Sequence, residues 1–163
     1  MMYTFRQLKV SEAAQMFDLI VQRIRWMDEQ GIHQWNDNHY DVAYPLETKI
    51  EACENGTAYG LFDEKNTLAC AAILLEEDEF WPEDNVKALY VHSFASNKAY
   101  PGAGGEFLRC AEALARKMKK EYLRLDSQTD NEKLARYYAS QGFIAVGECE
   151  DGPYCGTLRQ KKL

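Results

Sequence analysis

The sequence predicts a single mixed α/β (α+β) domain spanning residues 1–163, and three observations carry that reading. Stretches of alternating or β-branched residues recur between stretches with helical spacing. After residue 86 a strand, a glycine-rich turn, a helix and another strand follow one another, which implies one parallel crossover inside a mostly antiparallel sheet. A chain of 163 residues, 46% hydrophobic and 28% charged, can bury one core without disulfide staples.

The elements follow in the order β-α-α-β-β-β-α-β-α-β-β. "MYTFRQL" alternates and is aromatic-rich, so it opens the sheet. Ser11 can cap a first helix, along which Ala14, Phe17, Ile20, Val21, Ile24 and Met27 recur at helical spacing and which Gly31 can stop. "GIHQWNDNHYDVAY" is polar and aromatic and reads as loop. A short helix after Pro45 places Leu46, Ile50 and Cys53 on one face. "TAYGLFD" and "TLACAAILLE" form a hairpin across "EKN", and "VKALYVHSFA" is a third strand of that group. A helix then runs to about Lys120 with Leu108, Ala111, Leu114, Ala115 and Met118 on its apolar face. "YLRLD" is a short strand, Asn131 to Gln141 a helix closed by Gly142, and "FIAVGECE" with "YCGTLRQKK" a final hairpin across "DGP".

Charge excludes some partners. A net charge of -7 and a pI of about 5.0 argue against nucleic acid and anionic membranes, whose phosphates need clustered Lys and Arg. No apolar run approaches the roughly 18 residues of a membrane span. The cysteines number five, without a CxxC, and no signal peptide precedes them; this predicts reduced thiols and a cytoplasmic location. Cys149 and Cys155 flank a turn and could face each other across the hairpin.

The stretch "AYPGAGGEFL", residues 99 to 108, carries the first functional signal. A glycine turn that opens a helix presents backbone N–H groups without partners, and the helix dipole adds positive character. Gly102, Gly104 and Gly105 allow a tight turn and close approach of a phosphate. The spacing is neither a dinucleotide fingerprint nor a P-loop. By itself it fits a phosphate cradle and a plain connection equally well.

A second motif lies downstream, with Asn131, Leu134, Ala135, Tyr138, Gly142 and Phe143 in the pattern N-x-x-(L)-A-x-x-Y-x-x-x-G-F. Together, residues 89 to 143 resemble the core of the GNAT superfamily of acyl-CoA-dependent N-acetyltransferases, and the element order also looks like that family's. "GIHQW" after a long first helix is similar to a bacterial subgroup of it. The first position of the family's glycine motif, usually Gln or Arg, is Ala99 here, with Lys98 and Tyr100 as neighbours able to reach a phosphate.

The resemblance implies a bulged strand over residues 86 to 95 that splays from its parallel neighbour, with acetyl-CoA between them against His92, Ser93 and Phe94. It implies a cofactor cradle of Lys98, Ala99, Tyr100, Gly102, Ala103, Gly104, Gly105 and Asn131, although Asn131 can equally cap its helix. It implies direct attack by a primary amine on the thioester, with Tyr138 as general acid. A phenol of pKa about 10 stays protonated at pH 7 and can protonate a thiolate; packing beside Tyr137 is the alternative role. His92 can act as general base, with Glu76, Glu77 and Asp78 as runners-up.

The segment 31 to 44 and "EFWPED" are expected to border the acceptor pocket, with Trp35, Tyr40 and Trp81 as contacts. His33, Asp37 and His39 match no standard zinc spacing, and no metal is expected. The acceptor would be a small-molecule amine or a protein N-terminus, and homodimers are common among similar proteins. An acyl-CoA-binding regulatory module without transfer activity fits the same residues.

Overall fold

A computed structural model describes residues 2–32, 35–36 and 39–163. Seven strands form one sheet in the order β1-β2-β3-β4-β5-β7-β6. These are β1 (Thr4–Gln7), β2 (Ala58–Phe62), β3 (Leu68–Leu75), β4 (Ala88–Ser96), β5 (Tyr122–Gln128), β6 (Ile144–Asp151) and β7 (Tyr154–Lys162). Every neighbouring pair is antiparallel except β4 with β5. The expected mixed α/β architecture with a central parallel pair is therefore the observed one.

The helices are α1 (Ala13–Gln30), α2 (Tyr40–Ala43), α3 (Leu46–Glu54), α4 (Ala103–Lys117) and α5 (Glu132–Ser140). On one face of the sheet, Phe107, Leu108, Ala111 and Ala115 of α4 pack with Tyr138, Leu89, Leu123 and Leu125. On the other, Met16, Leu19 and Ile20 of α1 and Ala52 and Cys53 of α3 pack against Phe62, Leu68, Ala71 and Ala95. The β-strands alternate between these two cores, which is why β3 is apolar almost throughout.

Three details differ from the sequence reading. Ser11 does not cap α1: a 3-10 turn (Val10–Glu12) precedes it, and Glu12 accepts the Lys9 backbone N–H at 2.8 Å while pairing with Arg6. The start at Ala13 rotates the buried face of α1 to Ala13, Met16, Leu19, Ile20 and Met27, leaving Ala14 exposed. Part of the expected loop at 31 to 44 coils into α2. Gly31 stops α1 in the left-handed conformation, as expected.

The crossover sets up the site. β4 pairs with β5 only from Ala88 to Tyr90, opposite Tyr122 to Arg124. Beyond Tyr90 the register against β3 shifts, with Ile73 opposite His92 and Ala71 opposite Ala95, so β4 carries an extra residue. Ser93 sits in this bulge at φ 53. The two parallel strands thus part company at the level of His92, and a cleft of about 1680 Å³ opens there. All five cysteines are free thiols.

Candidate active site

The glycine turn ends inside α4 rather than before it. Gly102 is the N-cap at φ 85, a left-handed conformation that suits glycine, and helical residues start at Ala103. The Ala103 N–H bonds back to the Tyr100 carbonyl at 3.1 Å, so the groups without an intrahelical acceptor belong to Gly104 and Gly105. A Cβ at Gly104 would stand 3.0 Å from the Tyr137 hydroxyl and 3.4 Å from Phe94. Gly102, Gly104, Gly105, Phe94 and Asn131 all line the cleft. Asn131 also caps α5, accepting the Leu134 N–H at 3.0 Å.

Three expected cradle residues turn elsewhere. Tyr100 donates its hydroxyl to Asp63 at 2.6 Å, in the β2–β3 turn, which removes that side chain from the cleft. Ala99 gives its N–H to the Asn97 side chain at 3.0 Å and faces solvent. Ala103 is fully buried in the core. The cationic group missing at Ala99 has replacements in Lys98, which the sequence singled out, and in Arg23 and Lys133, which it did not. Trp26 is flanked by the Lys98 and Lys133 ammonium groups, at 5.2 and 5.6 Å from its ring, and by the Arg23 guanidinium at 4.9 Å. Arg23, Trp26 and Lys133 line the cleft near the glycines.

At the bulge, Tyr40 of α2 and Ser93 share a hydrogen bond of 2.5 Å between their hydroxyls. Burial pushes the Tyr40 phenol up to about 12. A left-handed Ser costs of order 1–3 kcal/mol and needs support from its surroundings; the Tyr40 contact supplies it. Tyr40 also stacks on Trp35, with ring centroids 4.7 Å apart, so α2 closes over the bulged strand.

Tyr138 lies on the same cleft, 6% exposed, packed edge-on against Tyr137 and Phe143. Burial raises its pKa, with Tyr137 and Asp126 adding to the effect, so the phenol keeps its proton. The two roles considered for it, packing and facing the cleft, coexist.

His92 projects toward two carboxylates. Asp78 Oδ2 lies 3.0 Å from His92 Nε2, at an angle too oblique for a hydrogen bond, and neither buried atom has a hydrogen-bond partner. Asp126 is the third member: one donor atom from each of Asp78, His92 and Asp126 falls within 4.8 Å of the others. Burial raises the Asp126 carboxyl, opposed by a hydrogen bond from Tyr154. Asp126 escaped the sequence reading because "YLRLD" reads only as a strand end. Its position opposite His92 comes from sheet pairing.

Trp81 is buried beneath the Arg124 guanidinium, 4.2 Å from the ring, and borders the cleft with an unpartnered indole N–H. Of the metal-capable trio in the 31 to 44 segment, His33 and Asp37 lie outside the described residues. His39 begins α2 at φ 50.

A splayed parallel strand pair, a bulge, and a glycine-opened helix on the next crossover make up the arrangement that the resemblance to GNAT acyltransferases implies. No protein-family model matches the chain. It is similar to the uncharacterized N-acetyltransferase YesJ of Bacillus subtilis (strain 168), 22% identical over 154 residues, covering 86% of this chain and 81% of that one. A GNAT-family acetyltransferase structure from Listeria monocytogenes 4b F2365 superposes with a TM-score of 0.79 at 26% identity, over 99% of this chain and 95% of the other. PaiA N-acetyltransferase from Thermoplasma acidophilum, solved in complex with coenzyme A, shares the fold at a TM-score of 0.75 and 18% identity, with both chains covered fully. The chain therefore has the fold of the GNAT acetyltransferases and is similar to members of that superfamily.

Proposed function

We propose that the protein transfers the acetyl group of acetyl-CoA to a primary amine by direct attack. The observation that carries this reading is the meeting of a bulged, splayed β4 with the open N-terminus of α4 in one cleft that also contains Tyr138 and His92. The residues present fit the pantetheine-phosphate arm. Gly104 and Gly105 offer free N–H groups, and a side chain at Gly104 would fill the approach to them. Lys98, Lys133 and Arg23 set positive charge at that end of an otherwise acidic molecule.

Bound there, acetyl-CoA supplies an acetyl thioester. The chain then has three tasks. His92, with Asp78 beside it, takes a proton from the incoming ammonium, directly or through water, so that the nitrogen can attack. Backbone N–H groups freed by the bulge at His92, Ser93 and Phe94 stabilise negative charge on the carbonyl oxygen. As the C–S bond breaks, Tyr138, kept protonated by burial, gives its proton to the departing thiolate, and the proton that the attacking nitrogen sheds restores the phenol. Trp35, Tyr40 and Trp81 wall the acceptor side.

The test is release of free thiol from acetyl-CoA across a panel of primary amines and peptide N-termini, with the acetylated product weighed by mass spectrometry. Amine-dependent release supports transfer. Tight acetyl-CoA binding with no release would instead favour an acyl-CoA-binding regulatory module, the reading that the absence of a family Gln or Arg at Ala99 first suggests.

A further inference from the structure

The acceptor half of the cleft is more acidic than proton transfer requires. The Asp78 side chain is 2% exposed, and its Oδ2 has no hydrogen-bond donor. Asp126 and His92 converge on the same point, their donor atoms within 4.8 Å of Asp78. Farther out stand Glu79 and Asp151. Tyr44, Asp78, Glu79, Asp126 and Asp151 all line the cleft, and the Tyr44 phenol is raised first by burial and then by these four carboxylates. Tyr44 is 40% exposed and lines the cleft.

The nearby cations are already committed. Lys49 is 1% exposed, with its ammonium 5.5 and 5.8 Å from the Tyr40 and Tyr44 rings. Arg124 is tied to Asp84 and to the Tyr90 hydroxyl.

Building on the acetyltransferase reading, we propose that this compartment selects an aliphatic acceptor with at least two ammonium groups, such as a diamine or polyamine. A primary ammonium carries three N–H donors and no acceptor. Asp78, Asp126 and the His92 imidazole converge on one point, and His92 is also the proposed base, so the seat and the deprotonation coincide. A second ammonium farther along the chain reaches Glu79 and Asp151, which line the same cleft together with the Tyr44 ring. A single metal ion on the inner three groups would leave the outer two carboxylates without a role, whereas an extended polycation engages both sets.

The experiment compares initial rates of thiol release for 1,5-diaminopentane, 1-aminopentane and 5-aminopentanoic acid, which share a chain length. It uses the full chain and the double variant Glu79→Gln/Asp151→Asn. Two partly exposed charge contacts predict a kcat/KM for the diamine roughly tenfold above the monoamine, and the amino acid poorest of the three. The double variant should lose roughly that factor for the diamine, through KM, and keep the monoamine rate.

Equal rates for diamine and monoamine, or preference for the amino acid, would overturn the inference. So would thermal stabilisation by micromolar zinc that chelator reverses and diamine does not compete for, since that marks a metal centre. Release with peptide N-termini but none of these three would sink the diamine while leaving N-acetyl transfer standing. Release with no amine at all would remove both.

Discussion

At the scale of single residues, two side chains carry most of the chemistry proposed. Tyr138→Phe removes the proton donor and keeps the ring packed on Tyr137 and Phe143. Turnover should fall about 10²-fold or more, while acetyl-CoA affinity measured by calorimetry stays unchanged. Asp126 makes a separate prediction about stability. Burial raises its folded pKa above the usual carboxylate value. Its contribution is therefore fullest below the unfolded pKa of about 3.9 and is lost as pH rises through the folded value. Asp126→Asn should raise Tm at pH 7, with the gain shrinking toward pH 4, and should lower kcat/KM for the acceptor. A lower Tm at pH 7 would show that the carboxylate stabilises the fold. Tyr138, the glycines and Asn131 could be picked out because each sits at fixed spacing within one motif. Asp126, Trp26 and Lys133 could not, since strand pairing and helix packing bring them to the cleft from distant parts of the chain.

At the scale of elements, the bulge in β4 and the start of α4 act together. Gly104→Val would press methyl groups on the Tyr137 hydroxyl and Phe94 and cover the N–H groups of the first turn. It should abolish acetyl-CoA binding with the circular dichroism spectrum unchanged; intact binding would reduce the glycines to a turn. Tyr40→Phe deletes the hydrogen bond to Ser93, worth about 1 kcal/mol. Tm should drop by a few degrees, and kcat more than KM for acetyl-CoA should fall, because the left-handed Ser93 loses its support. Most elements were legible from periodicity and turn residues, down to the Gly31 stop and the β6–β7 turn. The buried face of α1 was legible in part: Ile20 and Met27 are buried as expected, whereas Ala14 is exposed and Ala13, Met16 and Leu19 complete the face that packs against the sheet and α3. α2 was hidden because four residues are too few to show a helical period; packing of Tyr40 on Trp35 and Ser93 holds them.

At the scale of the whole molecule, charge is arranged by polarity. Asp78, Glu79, Asp126 and Asp151 line the acceptor side of the cleft, while Arg23, Lys98 and Lys133 surround Trp26 toward the glycine end. For a cationic acceptor, kcat/KM should fall several-fold as salt rises from roughly 20 to 500 mM, because screening shortens the reach of this field. A rate indifferent to salt would mean that the field plays no part. Among the described residues no helix is long and apolar enough to cross a membrane. The parallel pair was implied by element order, since a strand-helix-strand crossover in a mixed sheet allows few arrangements, and the splay by the resemblance; the spatial order of the strands was not predicted. The depth and acidity of the cleft were not, because they depend on which side of the bulge each residue emerges. The most direct test of the account is amine-dependent thiol release from acetyl-CoA, measured side by side for the native chain and Tyr138→Phe at equal cofactor saturation. The account predicts an acetylated amine from the native chain and at least about a hundredfold slower release from the variant. Equal rates from the two, or release that does not depend on amine, would contradict it.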